Sequence, residues 1–387
     1  MTAEDFTARH KFSFDIIGNE LTPSAKYDFK FKDYAPWVFR SLREDQFHLD
    51  PADYLLSLTS KYILSELGSP GKSGSFFYFS RDYRFIIKTI HHSEHLFLLR
   101  ILPKYYEHVK SNPHTLISRF YGLHRVKLPR GRKIHFVIMN NLFPPHRDIH
   151  ETYDLKGSTV GREYPEPQAA KNPRAVLKDL NWIHRRNSLE LGPEKRALLE
   201  EQIRRDAEFL KSVNVMDYSL LVGIHNMRRG NRDNVRRNTL KVFSPDLPVH
   251  RIPHRRRAMG QSHSHGHIGH GGGHGHGHGH VASPEAVAMR RAIYRTSDPK
   301  RLGDNMLPDS GDAQGLQLGD RQHLIFYQDE GGLRATDENN EVLDTIYYLG
   351  VIDILTPYGV GKKVEHFWKS LNADRVSWGV AFALWIR

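Results

Sequence analysis

The stretch GKSGSFFYFSRDYRFIIKTI, Gly71 to Ile90, decides the fold. It reads as a glycine-containing turn, a strand from Phe76 to Ser80, a polar turn from Arg81 to Arg84, and a second strand from Phe85 to Ile90. Alternation along the second strand puts Ile86, Lys88 and Ile90 on one face and Phe85, Ile87 and Thr89 on the other. Both faces are apolar, so Lys88 cannot simply point into water. Burying its ammonium without a partner costs roughly several kcal/mol. A lysine placed there calls for an anion, either a carboxylate or a phosphate.

The next segment offers the carboxylate. Ser93 to Lys110 has helical spacing, with Phe97, Leu98 and Ile101 on one stripe. Glu94 precedes Phe97 and Leu98 by three and four residues and shares their inward face. A glycine loop (Gly71, Lys72, Ser73, Gly74), a strand lysine and a following-helix glutamate are the parts of an ATP-gripping kinase lobe. A structural hairpin with a snorkelling lysine is the other reading of this stretch. The loop is not a P-loop, because the leading glycine of that motif would fall on Glu66.

Composition narrows the classes. A chain of 387 residues allows one two-lobed unit or two domains. The absence of cysteine excludes disulfides and thiolate metal sites and fits a reducing compartment. No apolar run approaches the ~20 residues that span a bilayer. The N-terminal MTAEDFTARHKFSFD has no apolar signal core. These features predict a soluble protein, or one peripheral to the cytoplasmic face of a membrane. A formal net charge of +12 suits anionic partners: nucleic acid, phosphoinositide-rich membrane or phosphorylated substrates.

Outward from the hairpin, residues 30–48 suggest a helix from about Pro36. Asp50-Pro51 then supplies an N-cap and first-turn proline for a second helix, whose stripe Leu55, Leu58, Tyr62 runs until Gly68. Strands are expected at Phe120 to Leu128 and Lys133 to Asn140, joined by PRGR. The first lobe is thus mostly antiparallel sheet with helices attached. Met139, Asn140, Asn141 and Leu142 close it before PPHRD, a hinge of the kind whose backbone meets adenine in kinases. YDLKGSTVGR follows (Tyr153 to Arg162), then a long helix from Pro193 to Asn214 with Leu199, Ile203, Ala207, Leu210 and Val213 on one face. Asp217 immediately precedes an apolar strand, Tyr218 to His225. From Arg228 to about Asp320 the chain is rich in Arg, Gly, His, Asn and Pro and reads as a mostly disordered insertion. Regular structure returns with His323 to Gln328, a turn at Glu330-Gly331-Gly332 and a strand-like run from Ile346 to Leu355. Asp353 lies inside that run and needs a cation, a metal or a lysine.

The insertion carries eight histidines between His263 and His280. Such density binds zinc or nickel loosely, but glycine spacing fixes no geometry. Its pairs and triplet Arg228-Arg229, Arg236-Arg237 and Arg255-Arg256-Arg257 read as solvated linker charge, or as a nuclear, lipid or nucleic-acid patch. No nucleic-acid reader motif accompanies them. Lys88, Glu94, Asp217 and Asp353 together suit phosphoryl transfer. That chemistry needs phosphate charge neutralised, with magnesium on oxygen ligands, and a nucleophile oriented.

The motifs SGSFFYFSRDYRFIIKTI, FVIMNNLFP, YDLKGSTVGR, VMDYSLLVGIH and GVIDILTPYGVGKKVEHFWKSL resemble those of the phosphatidylinositol phosphate kinase family, closest to its type I branch, the phosphatidylinositol-4-phosphate 5-kinases. The resemblance runs from about Phe29 to Leu371, and 227–320 falls in the family's variable insert. The motifs DLKGS and MDYSLL are specific to it, and no HRD or DFG occurs here. The resemblance implies an α+β, two-lobed, protein-kinase-like fold with antiparallel sheets and a disordered insert. The units would be an extension (1–28), an N-terminal lobe (29–140), a first part of the C-terminal lobe (141–227), the insert (228–320), and a metal-binding strand with activation loop (321–387).

It also implies roles. Lys88 would contact the phosphates of ATP, braced by Glu94, under the loop Gly71, Lys72, Ser73, Gly74. Asp217 would orient or deprotonate the inositol hydroxyl, and Asp353 would hold Mg2+. Lys156 of DLKGS would lie near the transferred phosphate or the headgroup. Lys362 and Lys363 would belong to an activation loop that meets the membrane and selects the lipid. The implied substrate is phosphatidylinositol 4-phosphate in an anionic membrane, on the inner face of the plasma membrane, with no nucleic-acid partner. A homodimer and a nuclear pool are compatible with the sequence. After about Arg375 the chain reads VSWGVAFALWIR, where the family continues differently. An altered terminus or an interfacial anchor built on Trp378, Phe382, Leu384 and Trp385 accounts for it. The alternatives are a non-catalytic phosphoinositide-binding scaffold, a protein kinase, and type II specificity for phosphatidylinositol 5-phosphate.

Overall fold

Aromatic alternation begins earlier in the chain than the hairpin, at residues 9–14 and 29–34, and adds strands to the first sheet. A computed structural model describes residues 1–15, 20–22, 28–59, 65–68, 75–80, 82–129, 131, 133–233 and 331–356. Helix α1 (Ala3–Thr7) leads into strands β1 (Arg9–Phe14), β2 (Glu20–Leu21) and β3 (Phe29–Tyr34). Helix α2 (Pro36–Ser41) continues into a wider π-type turn, Leu42–Gln46, before α3 (Pro51–Thr59). Then come β4 (Ser65–Gly68), β5 (Phe76–Phe79), β6 (Phe85–Ile90), α4 (His92–Ser111), β7 (Phe120–Lys127) and β8 (Lys133–Asn140). These eight strands form one antiparallel sheet in the order β2-β1-β3-β7-β8-β6-β5-β4.

Two expectations change here. Residues 9–14 are not part of an appendage: β1 pairs with β3 over its whole length, and Phe14 stacks on Phe29 at 5.1 Å. The second helix does not run to Gly68 either. It starts as read, with Asp53 N donating to Asp50 Oδ1 at 2.8 Å, but ends at Thr59, and 65–68 pairs with β5 as strand β4. The hairpin strands are those of the sequence reading, the first ending one residue earlier at Phe79, and they pair with Phe77 opposite Lys88.

The second sheet follows the hinge. Its elements are β9 (Glu151–Leu155), α5 (Glu166–Ala169), β10 (Val176–Leu177), α6 (Asp179–His184), α7 (Pro193–Ser212), β11 (Ser219–Asn226), β12 (Leu333–Thr336) and β13 (Val342–Ile352). The order is β10-β9-β11-β13-β12, antiparallel except for the β10–β9 pair. The last strand begins four residues earlier than expected and stops at Ile352, so Asp353 lies just beyond it rather than inside it. The first residues of the expected insertion, 228–233, form a turn tied back to the lobe. Asn231 Nδ2 donates to His146 O at 2.8 Å, and Asn231 Oδ1 accepts from Asp148 N at 2.8 Å. The rest of the insert with its histidine tract, the Gly71–Gly74 loop, His323–Gln328, Lys362, Lys363 and the C-terminal stretch lie outside the described residues.

One continuous apolar core joins both sheets. α4 buries Phe97, Leu98, Ile101, Leu102, Tyr105 and Val109, and α7 buries Leu199, Ile203, Phe209 and Leu210 against it. At the junction, Asp206 of α7 is 1% exposed and accepts from Thr115 Oγ1 (2.7 Å), Leu116 N (2.8 Å) and Gln202 Nε2 (2.9 Å), with His108 Nε2 at 2.8 Å. A buried carboxylate is tolerated only when its lone pairs are filled in this way. The segment so fixed, Leu116 to Ser118, runs beside β13: Val351 N donates to Leu116 O at 2.7 Å, and Ser118 N donates to Val351 O at 3.0 Å. α7 therefore sets the end of β13 against the start of β7.

Candidate active site

Lys88 sits in mid-β6, 16% exposed, with Nζ 5.3 Å from the Phe77 ring centroid and 3.6 Å from Asp353 Oδ1. The anion that the strand pattern calls for is thus a carboxylate from the other sheet. Glu94, expected as the brace, does something else. It is the third residue of α4, and its Oε2 accepts from His91 N at 2.6 Å. That bond satisfies an orphan N–H at the helix start, which is what a glutamate at this position does best. Among the described residues the carboxylate partner of Lys88 is Asp353.

Asp353 and Asp217 occupy matching places. Asp217 lies two residues before β11, and Asp353 one residue after β13, and the two strands are paired so that Ser219 faces Ile352. Met216 N donates to Thr356 O at 3.3 Å and closes the pair of loops beyond them. Both aspartates have left-handed backbone, φ +59° and +60°. Asp and Asn enter that region far more readily than branched or bulky residues. Both aspartates thus lie in left-handed backbone just beyond their strands, at one end of the sheet.

Lys156 joins them by donating from Nζ to the Asp217 carbonyl. The turn that presents it is built by a residue the sequence reading did not single out. Asp179, 1% exposed at the start of α6, accepts from Lys156 N (2.9 Å) and Gly157 N (2.8 Å) with Oδ1, and from Arg162 Nε (2.8 Å) with Oδ2. Gly157 has φ +68°, so the turn needs its missing Cβ. Arg162 and Lys178 also hold Asp154, at 3.1 and 2.9 Å. Burial works against the charge of Asp154, yet hydrogen bonding and these two cations keep its carboxyl below the usual range. Asp179 lies 23 residues from Lys156 in sequence, so no local spacing signals it.

The hinge residues are seated on both sheets. Met139 pairs with Ile86 and Phe120 inside the first sheet. Asn140 N donates to Arg119 O (3.1 Å) and Asn141 N to Arg84 O (2.9 Å), and Asn141 Nδ2 donates to Tyr83 O (2.7 Å). Leu142 and Phe143 then lie across the second sheet where it has no side chains. A Cβ on Gly350 would come within 3.1 Å of Leu142 Cδ1, and one on Gly223 within 2.4 Å of the Phe143 ring. These glycines leave room for the side chains of the hinge residues Leu142 and Phe143.

The site therefore combines a strand lysine paired with a carboxylate, a second aspartate beside it, and a lysine on a rigid turn, below a hinge. A family model described as phosphatidylinositol-4-phosphate 5-kinase matches residues 58–380. The chain belongs to that family. Phosphatidylinositol 4-phosphate 5-kinase its3 of Schizosaccharomyces pombe is 58% identical over 374 residues, 96% of this chain and 46% of the relative. A probable phosphatidylinositol phosphate kinase of Dictyostelium discoideum is 39% identical, over 95% of this chain and 48% of its own. Phosphatidylinositol 4-phosphate 5-kinase 7 of Arabidopsis thaliana is 38% identical, over 96% and 49%. The chain spans about half the length of these curated members of the family. No helix among its described residues is long and apolar enough to cross a membrane.

Proposed function

We propose that the chain transfers the γ-phosphate of ATP to the 5-hydroxyl of phosphatidylinositol 4-phosphate, giving phosphatidylinositol 4,5-bisphosphate at an anionic membrane surface. The observation that carries this reading is the meeting of Lys88, Asp353, Asp217 and Lys156 at one end of the second sheet, within a family whose named members include phosphatidylinositol 4-phosphate 5-kinases.

In this reading Lys88 exchanges part of its contact with Asp353 for phosphate oxygens of ATP. Asp353, half-exposed, is the hard oxygen donor that a Mg2+ ion accepts, and such an ion would neutralise phosphate charge. Asp217 orients the inositol 5-hydroxyl and takes its proton as the new O–P bond forms. The bond from the γ-phosphorus to the bridging oxygen breaks, and ADP leaves with that electron pair. Lys156 offers positive charge to the phosphate in transit or to the headgroup. The amides of Asn140 and Asn141 are committed to Arg119 and Arg84 carbonyls. This leaves the Leu142 amide as the hinge donor for adenine. The Gly71–Gly74 loop would cover the phosphates, and Lys362 and Lys363 would meet the lipid. Attachment to the inner face of the plasma membrane follows from the substrate and the net charge of +12. Catalysis in this arrangement is mostly positioning and electrostatics.

Radiolabelled ATP transfer on liposomes carrying phosphatidylinositol 4-phosphate or phosphatidylinositol 5-phosphate tests the proposal, with the Lys88→Met variant as control. Lys88-dependent label on the first lipid is the expected result. Label on the second lipid alone would replace 5-hydroxyl by 4-hydroxyl specificity. Liposome binding with label on neither would leave a phosphoinositide-binding scaffold.

A further inference from the structure

Three histidines with no part in phosphoryl transfer meet where α4 begins. His92 and His95 are one helical turn apart, and His135 lies on β8 against them. One ring nitrogen from each lies within 4.8 Å of the other two. Ring centroids are 4.3 Å apart for His95–His135, 5.0 Å for His92–His135 and 5.8 Å for His92–His95. His95 and His135 are 2% and 5% exposed, while His92 faces solvent. The enclosed Nδ1 of His95 has no hydrogen-bond partner among the described residues. Orphaned buried ring nitrogens are rare and call for a missing partner.

We infer that His92, His95 and His135 form a binding site for a transition-metal dication of the zinc class. Imidazole nitrogens suit zinc, copper and nickel rather than magnesium or calcium, which take oxygen ligands. The rings lie nearly parallel, with interplanar angles of 21°, 32° and 25°, so binding would turn the side chains until the three nitrogens meet one ion at the about 2.0–2.1 Å of a zinc–nitrogen bond. Three imidazoles leave the fourth position open on the solvent side of His92. Arg9, Lys32, Arg125 and Lys133 are also felt at these rings. Their charge opposes a bare dication and favours hydroxide or chloride as the fourth ligand. A bound ion would clamp the start of α4 to β8 at His135, which pairs with Ile90, two residues after Lys88. The site is independent of the kinase reading.

The test uses the full chain with the eight histidines of 263–280 replaced by serine, so that the tract does not compete for metal. Co2+ alone is titrated and its visible absorption followed, with Zn2+ then added as competitor. One equivalent with the strong absorption of a four-coordinate site, displaced by Zn2+, is expected. His92→Ala and the shape-conserving His92→Gln alter only an exposed side chain; each should weaken binding at least tenfold while circular dichroism shows an intact fold. Absence of stoichiometric Co2+ binding, or unchanged affinity in both folded His92 variants, overturns the proposal.

Discussion

The Lys88 ammonium lies 3.6 Å from the Asp353 carboxylate and so joins β6 of the first sheet to the end of β13 in the second. Asp353 is half-exposed, and an ion pair open to water on one side contributes about 0–1 kcal/mol. Its strength is therefore in placement. Lys88→Met and Asp353→Asn should each shift unfolding stability by about 1 kcal/mol or less. Each should lower phosphate transfer by about 100-fold or more, the loss typical of one removed electrostatic contact to the transition state. Asparagine keeps the left-handed backbone of position 353, so that variant isolates the charge. Parallel urea unfolding and lipid-kinase assays decide; a stability loss matching the activity loss would make the pair structural.

Asp179 should behave in the opposite way. It is buried, and it fills its lone pairs with three backbone amides, those of Lys156, Gly157 and Ser158, and the Arg162 guanidinium. Asp179→Ala removes the acceptor of Arg162 Nε and of the Lys156 and Gly157 amides, leaving Arg162 with Asp154 alone, and opens the turn that carries Lys156. Breaking one partner of a buried pair costs about 3–5 kcal/mol. Lys156→Ala, by contrast, should stay within about 1 kcal/mol of the parent and lose turnover, since its ammonium meets only the Asp217 carbonyl among described residues. Equal destabilisation by both substitutions, in urea unfolding, would refute this division of labour.

The sequence made the hairpin, α4, α7, β7, β8 and the positions of Lys88 and Asp217 legible, because each rests on local periodicity or on a polar residue beside an apolar run, whereas it placed Asp353 inside a strand that stops at Ile352. What it hid is non-local or short-range in a different way. β1 and β3 do alternate, as His10, Phe12, Phe14 and Phe29, Phe31, Asp33, but the two are read as one strand pair only once Phe14 meets Phe29. Glu94 has the spacing of both an inward brace and a helix cap, and spacing alone does not choose; the orphan amide of His91 does. Asp179 and Asp206 carry no motif. Their importance lies in backbone amides and an arginine brought from 17 to 90 residues away.

The hinge offers a third test. Gly223 leaves room for the Phe143 ring, which an added Cβ would approach to 2.4 Å; at Gly350 the contact with Leu142 would be 3.1 Å. Gly223→Ala must displace a ring, and overpacking of this kind costs about 1–3 kcal/mol. Gly350→Ala meets the tip of a flexible leucine and should cost less. If Leu142 meets adenine, both variants should raise the KM for ATP severalfold and leave the KM for lipid unchanged. Steady-state kinetics with either substrate varied checks this, and an effect on lipid alone would remove the hinge from the nucleotide site.

Acid should loosen the second sheet before it touches its carboxylates. Burial, chiefly, holds His225 and His150 below the ordinary imidazole value. His225 Nδ1–H donates to Asp148 O at 2.6 Å, which leaves Nε2 3.5 Å from the Arg147 guanidinium. His150 accepts from Asn226 N at Nδ1 (3.0 Å) and donates from Nε2 to Gly230 O (3.1 Å). Both rings are fixed as neutral tautomers; Asp233, 4.0 Å from His150, favours the charged form without reversing the shift. Unfolded imidazoles titrate near about 6.5, so below that pH the unfolded chain binds more protons than the folded one. Stability from these groups is therefore fully present above about pH 6.5 and is lost as the pH falls through the lower folded values, at up to about 1.4 kcal/mol per pH unit for each group. Urea midpoints should hold steady between about pH 8 and 7 and decline from about pH 6.5 to 5. His225→Gln should flatten that decline while lowering the midpoint at neutral pH, because the amide keeps the bond to Asp148 O but no longer titrates. A slope unaltered by His225→Gln would mean that His225 is not part of the acid response.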